Sequence, residues 1–353
     1  MTTGAMPGSL GACPLPRMDH TEVQLAHGAG GRLMADLIDR LFVPAFRNSF
    51  LERLDDQAVV DIHGAKLAFT TDSYVVTPLF FPGGDIGCLA VNGTVNDLAM
   101  CGARPLYLSA GFIVEEGCSF EELQRVVASM SAACVRAGVL MVTGDTKVVN
   151  RGSADKLFIN TSGVGVLETP LTISADQARP GDRVVVSGTI ADHGMAVMAM
   201  RTELQLDSVI ESDTAPLHSL VRTMVAASSE VHCLRDPTRG GLATCLNEIA
   251  RRSRVGIVLN EAAVPIRDDV KGLCEILGLD PLYVANEGKL VAIVGSADAE
   301  RVVLEMRDHP HGTQARIIGE VVADHPEHVV MRTGIGGTRV VGMLVGDQLP
   351  RIC

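Results

Sequence analysis

The chain has 353 residues, 47% hydrophobic and 20% charged, with a net charge of -12 and no Trp. The apolar content supports ordinary cores, and the length suggests two domains. The acidic balance and the 3% aromatic content exclude a phosphate-backbone binder and a base-stacking surface, so no nucleic-acid partner is expected.

Residues 1–20 are rich in Gly, Pro and small side chains and read as a loose extension. Their start, "MTTGAMPGSLGACPLP", has no basic n-region and no apolar h-region, and no later stretch is long enough to span a bilayer. Nine Cys are present and no two are closer than 12 positions, which excludes zinc-ribbon and iron–sulfur spacing. A reducing cytoplasm and no membrane partner are therefore expected. "HGAGG" (27–31) is a Gly-rich loop opening "RLMADLIDRLFVPAF", whose spacing predicts an amphipathic helix up to Pro44.

From residue 50 strands and helices alternate. "AVVDI" and "KLAFTTD" read as strands, "DIGCLAVNGTVNDLAMCGA" as a helix closed by Gly102, and "PLYLSAGFIVE" as a strand. "SFEELQRVVASMSAACVRAG" is a helix capped by Ser119, and "VLMVTGDTKVV" and "KLFINTSGVGVL" are strands. "RPGDRVVVSG" (179–188) turns into a strand and marks a domain start. Helices are expected near 214–228 and 239–253, and strands at 255–260, 289–295 and 315–322. The Gly-containing end from 333 to Cys353 reads as a mobile arm. The pattern predicts α/β or α+β architecture in two halves, 21–170 and 171–332.

No Walker A or dinucleotide-binding glycine fingerprint occurs. Gly30 and Gly31 precede a helix N-terminus, where backbone amides can hold an anion, although a plain turn fits equally. Asp56 precedes a strand, Asp72 and Asp145 lie at or beyond strand ends, and Asp97 sits in a helix with Asn92 and Asn96 one turn apart. Any one of these carboxylates alone reads as a solvated turn residue. Four within about a hundred residues point to hard-cation ligands for a nucleotide. Lys147 lies two residues beyond Asp145, on the same strand face. Arg239, before Gly240 and Gly241, suits an anion contact, and Asp236 beside it suits a helix cap. Glu287 enters an apolar strand and is a candidate general base. The terminal Cys353 is a soft nucleophile at a chain end.

"HGAGG", "TTDSYVVTPLFFPGGDIG", "LAVNGTVNDLAM", "VTGDTKVV", "RDPTRGGLATCLNEIA", "NEGKL" and the terminal "PRIC" together resemble the HypE family of hydrogenase maturation factors, from about residue 21 to 353. Single pieces are shared with the wider aminoimidazole ribonucleotide synthetase-like superfamily, whereas "PRIC" separates this family from its relatives. The resemblance implies two α/β domains, a homodimer paired through strands of the N-terminal domains, and ATP near that interface. It implies that a carbamoyltransferase, HypF, loads Cys353, that ATP and Mg2+ serve to dehydrate the S-carboxamide to S-cyanide, and that the cyanide passes to iron on a HypC–HypD scaffold. By motif, Asp56, Asp72, Asp97 and Asp145 are assigned to metal. Gly30, Gly31, Asn92, Asp145, Thr146 and Arg239 are assigned to the nucleotide, and Cys353, Glu287 and Lys147 to catalysis. Cys88 stands where a long basic residue is expected. The rival readings are a small-molecule kinase or synthetase of the same fold, and a non-enzymatic thiol carrier.

Overall fold

A computed structural model describes residues 20–202, 209–346, 348–349 and 351–353. All but His20 of the expected N-terminal extension lies outside them. The described chain opens with a 3-10 turn, Leu25–Gly28, then α1 (Arg32–Leu37), a π turn (Ile38–Phe42) and α2 (Val43–Phe46). The helix thus runs past Pro44, where the sequence pattern predicted its end. The π turn bonds the amide of Val43 to the carbonyl of Ile38, and this local widening accommodates a proline that has no N–H.

The first sheet has the order β1-β2-β7-β5-β6. Its strands are β1 (Ala58–Ile62), β2 (Ala65–Tyr74), β5 (Ala103–Glu115), β6 (Leu140–Val149) and β7 (Leu157–Leu167). All neighbours are antiparallel except β5 and β6, which are parallel. The short hairpin β3 (Phe80–Phe81) and β4 (Gly84–Asp85) leads into α3 (Ile86–Ala99). Every residue of α3 except Asp97 is buried. A helix buried on nearly every face must be enclosed by neighbours, and α3 packs on β2, β5 and β7 on one side and on α4 (Phe120–Ala137) and α6 (His218–Ala227) elsewhere, with its Asn side chains hydrogen-bonded. Cys88 sits in its first turn, buried, with its thiol donating to the Asp85 carbonyl.

The second sheet has the order β14-β13-β10-β12-β8-β11-β9. Its strands are β8 (Arg183–Val186), β9 (Val231–Arg235), β10 (Gly256–Asn260), β11 (Val291–Val294), β12 (Arg316–Val322), β13 (Val329–Arg332) and β14 (Thr338–Val341). The accompanying helices are α5 (Asp192–Thr202), α7 (Gly241–Ser253), α8 (Asp268–Leu277) and α9 (Ala299–Arg307). The continuous apolar runs of β8 and β11 are buried on both faces, as central strands demand. No helix among the described residues is long and apolar enough to cross a membrane.

Asn96 ties the halves together. Its side-chain amide donates to the carbonyls of Ala215 and Glu287, at 3.1 and 3.2 Å, and its carbonyl accepts from the Leu217 amide at 2.8 Å.

The segment after 333, expected as a mobile arm, lies docked on the body in this structure. Residues 338–341 form β14 in a hairpin with β13, turned through Thr333–Gly337. The chain then lies along the body: the Leu344 carbonyl accepts from the Arg32 amide at 2.9 Å, and the Gly342 carbonyl from the Tyr283 hydroxyl at 3.0 Å. Those backbone groups have found partners, so this part of the tail is laid down and not free.

Candidate active site

Strand alternation places Asp72 on the same face of β2 as Thr70 and Tyr74, towards α3. There the Thr70 hydroxyl lies 2.9 Å from Oδ2 of Asp97 and 2.8 Å from the Asp56 carbonyl. Asp56 faces Arg235 from β9 at 3.2 Å, and its Oδ2 is buried with no hydrogen-bond partner. Burial pushes the Asp56, Asp72 and Asp97 carboxyls up, and the charges of Asp236, Asp72 and Asp56 push Asp97 further. Asp236 itself is pushed up to about 6 by burial, against the pull of Arg235. Four carboxyls that raise one another, one with an orphaned oxygen, form a donor set that a hard cation would satisfy. Among the described residues, no three His, Cys, Asp or Glu side chains already converge on one metal position.

Two glycine loops meet beside this cluster. Gly30 has φ +73°, and a Cβ there would lie 2.4 Å from the Arg239 carbonyl oxygen, so only glycine permits the approach. Gly30, Gly31, Asp56, Asp236, Thr238 and Arg239 line a cavity of about 150 Å³. Arg239 also lines a second cavity of about 230 Å³, with Gly28, Ser73, Ile352 and Cys353 on its wall. The Arg239 guanidinium stands 3.6 Å from Asp72.

The tail ends in this second cavity. A terminal carboxylate oxygen of Cys353 and the carbonyl of Arg351 accept from the amides of Val75 and Thr77, at 3.0 and 3.3 Å, so the last three residues pair antiparallel with the chain beyond β2. The Ile352 side chain is 3% exposed and joins the core around Tyr74, Val76 and Leu79. The Cys353 thiol then lies within reach of Arg239, Glu287 and Asp72, and burial pushes its pKa up. Docking therefore disfavours the thiolate, the form that acts as a nucleophile.

Glu287 approaches from the other domain. It is buried, its Oε1 has no hydrogen-bond partner, and its amide donates to Asp213 at 3.0 Å. Burial pushes its carboxyl well above the usual range, and Asp236, Asp213 and Asp72 add to the shift. Asp213 is held in turn by Lys289 at 3.2 Å.

The structure brings Asp56, Asp72, Asp97, Gly30, Gly31, Arg239, Glu287 and Cys353 to one region. It does not bring Asp145, Thr146 and Lys147 there within one chain. They lie on the exposed edge strand β6, where Lys147 pairs with Asp145 at 3.1 Å. Asn92 is buried in the domain interface and donates to Thr214 at 3.2 Å, although its own carbonyl oxygen is unpartnered. Asp236 does not cap α7, whose N-cap is Gly240; it joins the carboxyl cluster instead. Asp213 and His193 were not singled out from sequence. Only the fold carries His193 to the Ile352 carbonyl and Asp213 to the Glu287 amide.

The family description "AIR synthase related protein, N-terminal domain" matches residues 54–167, and its C-terminal counterpart matches 179–332. Carbamoyl dehydratase HypE of Azotobacter vinelandii is 55% identical over 331 residues, 94% of this chain and 97% of the relative. A HypE–HypF complex contains a chain 48% identical, with a TM-score of 0.83, over 87% of this chain and 99% of that one. A HypE structure in complex with ATP is 50% identical, with a TM-score of 0.80, over 93% and 99%. The two family matches, the near full-length identity and the shared fold place this chain in the HypE family of carbamoyl dehydratases, among the AIR synthase related proteins.

Proposed function

We infer that the chain is an ATP-dependent carbamoyl dehydratase of NiFe-hydrogenase maturation, acting on its own C-terminal thiol. The observation that carries this reading is the seating of Cys353 against Glu287 and Arg239, next to the carboxyl cluster.

The carbamoyl group enters as an S-carboxamide on Cys353. Its oxygen attacks the γ-phosphorus of ATP, ADP leaves, and the carboxamide nitrogen loses one proton to give a C=N bond. Phosphate then departs with the former amide oxygen while the nitrogen loses its second proton, leaving S–C≡N. The sum is carboxamide plus ATP to thiocyanate, ADP and phosphate. Glu287 is the base for the nitrogen protons. Its raised pKa makes it a stronger base once ionised, and its unpartnered oxygen has room for a proton. Arg239 balances negative charge on the transferring phosphoryl group. Asp56, Asp72 and Asp97, with Asp236, would hold magnesium, which supplies charge neutralisation at the phosphates. The glycine loop at Gly30 and Gly31 would take the phosphates beside them.

Asp145, Thr146 and Lys147 reach a site only if a second copy supplies or receives them. Strand β6 is exposed along its length, paired on one side by β5 alone, and shows Leu140, Val142 and Val148 to solvent. An apolar unpaired edge needs a cover, and a homodimer across it would carry these residues towards the nucleotide. Asn92, with its free buried carbonyl, is kept as a secondary nucleotide contact. The solved HypE–HypF complex supports HypF as a partner here; its role as carbamoyl donor, the HypC–HypD scaffold as acceptor and the cytoplasm as the setting follow from the same reading.

The test is intact-protein mass spectrometry after incubation with the carbamoyltransferase and carbamoyl phosphate. Without ATP a carbamoyl adduct on Cys353 is expected; with Mg·ATP it should lose one water. An adduct on another cysteine, or water loss without ATP, would refute the reading.

A further inference from the structure

We propose that His193, seated by Ser212, is a positioning residue that holds the docked chain end through the Ile352 carbonyl and so sets where the Cys353 sulfur meets Glu287. The proposal rests on the function argued above and concerns a residue that the chemistry has not yet used.

His193 projects from α5 and is fully buried. Its Nε2 lies 2.7 Å from the Ile352 carbonyl oxygen, and its Nδ1 lies 2.8 Å from Oγ of Ser212. The hydrogen positions follow from the partners. A carbonyl can only accept, so Nε2 carries the proton. The Thr214 amide donates to the Ser212 hydroxyl at 3.2 Å, which leaves that hydroxyl free to donate to Nδ1. Burial also pushes the His193 pKa down, so the ring is neutral. No other neutral side chain combines a donor and an acceptor at these two depths in one rigid ring.

The constraint on the tail is close to complete. The Ile352–Cys353 peptide is held on one side by His193, and the Cys353 terminal carboxylate on the other by the Val75 amide. One residue earlier, Arg201 bonds to the Arg351 carbonyl and also to the Thr77 carbonyl at 2.6 Å. With the backbone fixed on both sides of Cys353, the χ1 torsion is the main freedom left to the sulfur. The contacts are to the backbone carbonyls of Arg351 and Ile352 and to the terminal carboxylate of Cys353, so they read the position of the chain end and not its side chains. Undocking would leave a buried imidazole N–H without a partner, which favours the docked state.

The variants that test this are His193→Gln and His193→Asn. The Gln amide nitrogen reaches the depth of Nε2, whereas the Asn nitrogen stops at the depth of Nδ1. The probe is iodoacetamide alkylation of Cys353 in partner-free protein, followed by peptide mass spectrometry. Asn should alkylate about tenfold faster than wild type, in line with the loss of one buried hydrogen bond, and Gln should stay close to wild type. In single turnovers of pre-carbamoylated protein, Asn should slow water loss at saturating ATP with the half-saturating ATP concentration unchanged. Wild-type alkylation rates in a folded Asn variant, or equal acceleration in Asn and Gln, would overturn the proposal. If the Asn variant does not fold, a semisynthetic chain with an ester between Ile352 and Cys353 weakens the same acceptor without touching His193. It should likewise expose the thiol, and an unchanged rate there refutes the latch. Absence of any cyano product in wild type would instead defeat the dehydratase reading, while alkylation still decides the role of His193.

Discussion

The amide of Val75, three residues after Asp72 and one after Tyr74, donates to the terminal carboxylate of Cys353 at 3.0 Å. The end of the chain is thus registered against the same strand that supplies a carboxyl of the candidate site. Because the docked thiol is half-buried beside Glu287 and its pKa is raised there, loading by an external carbamoyl donor and dehydration at Glu287 belong to different positions of the tail.

Glu287→Gln keeps the shape of the side chain and removes the base. ATP affinity should change by less than threefold, while water loss from the carbamoylated protein falls by at least about 100-fold. Mass spectrometry in single turnovers reads the adduct directly. Normal cyanide formation in this variant would remove Glu287 from the chemistry.

Asp145→Asn tests whether the edge strand serves a nucleotide. The variant should weaken Mg·ATP binding by about tenfold in calorimetry, an order set by the loss of one charge-assisted contact. In parallel, Val142→Lys places a charge on the exposed edge of β6 and should shift the protein to monomer in light scattering. A variant that stays dimeric and binds ATP normally would exclude β6 as the interface.

Gly288→Ala should disable the enzyme without touching a reacting group. A Cβ at 288 would lie 1.6 Å from the Asp213 carbonyl oxygen and 2.9 Å from the Ala215 amide nitrogen. The loop must move, and it carries Glu287. We expect destabilisation of about 2 kcal/mol or more from overpacking, read by denaturant unfolding, with water loss reduced at least tenfold. Unchanged stability would mean that the loop has slack.

His232 provides a pH-dependent contribution remote from the site. Its Nδ1 lies 2.8 Å from Asp182 and its Nε2 3.2 Å from Glu230. The hydrogen bond to Asp182 raises its pKa, against burial. A histidine raised on folding stabilises most fully below its unfolded pKa, and that stabilisation fades as pH rises through the folded value. His232→Gln should therefore cost about 2 kcal/mol at pH 6 and clearly less at pH 9. A cost independent of pH would show that the charge contributes nothing.

Much of the first half was legible because its signals are local. Ser119 caps α4 through bonds to the amides of Glu121 and Glu122, and β2 alternates between buried and exposed as its residues do. α5, α8 and α9 were not anticipated, nor were β9, β13 and β14. The last two are four-residue strands whose partners are distant in sequence or across a glycine turn, and short segments carry little periodicity. The docked position of the tail was not legible for the same reason: "GIGG" reads as flexible, and the bonds that hold the following residues come from Arg32, Val75, Thr77 and His193.

The residue types of the site, namely strand-end carboxylates, a glycine loop, a glutamate before a strand and a terminal cysteine, were set by the linear order of the chain, because each belongs to a local motif. Their grouping was not. Asp236 stands with Asp97 and not at a helix cap, Lys147 stands with Asp145 on an outer edge, and His193 stands under Ile352. Those relationships join segments that loop closure alone leaves far apart. They exist only once α3 is enclosed between the two domains, because burying that helix on all sides, with Asn96 bonded across to Glu287, brings the carboxyl cluster, Glu287 and the chain end together.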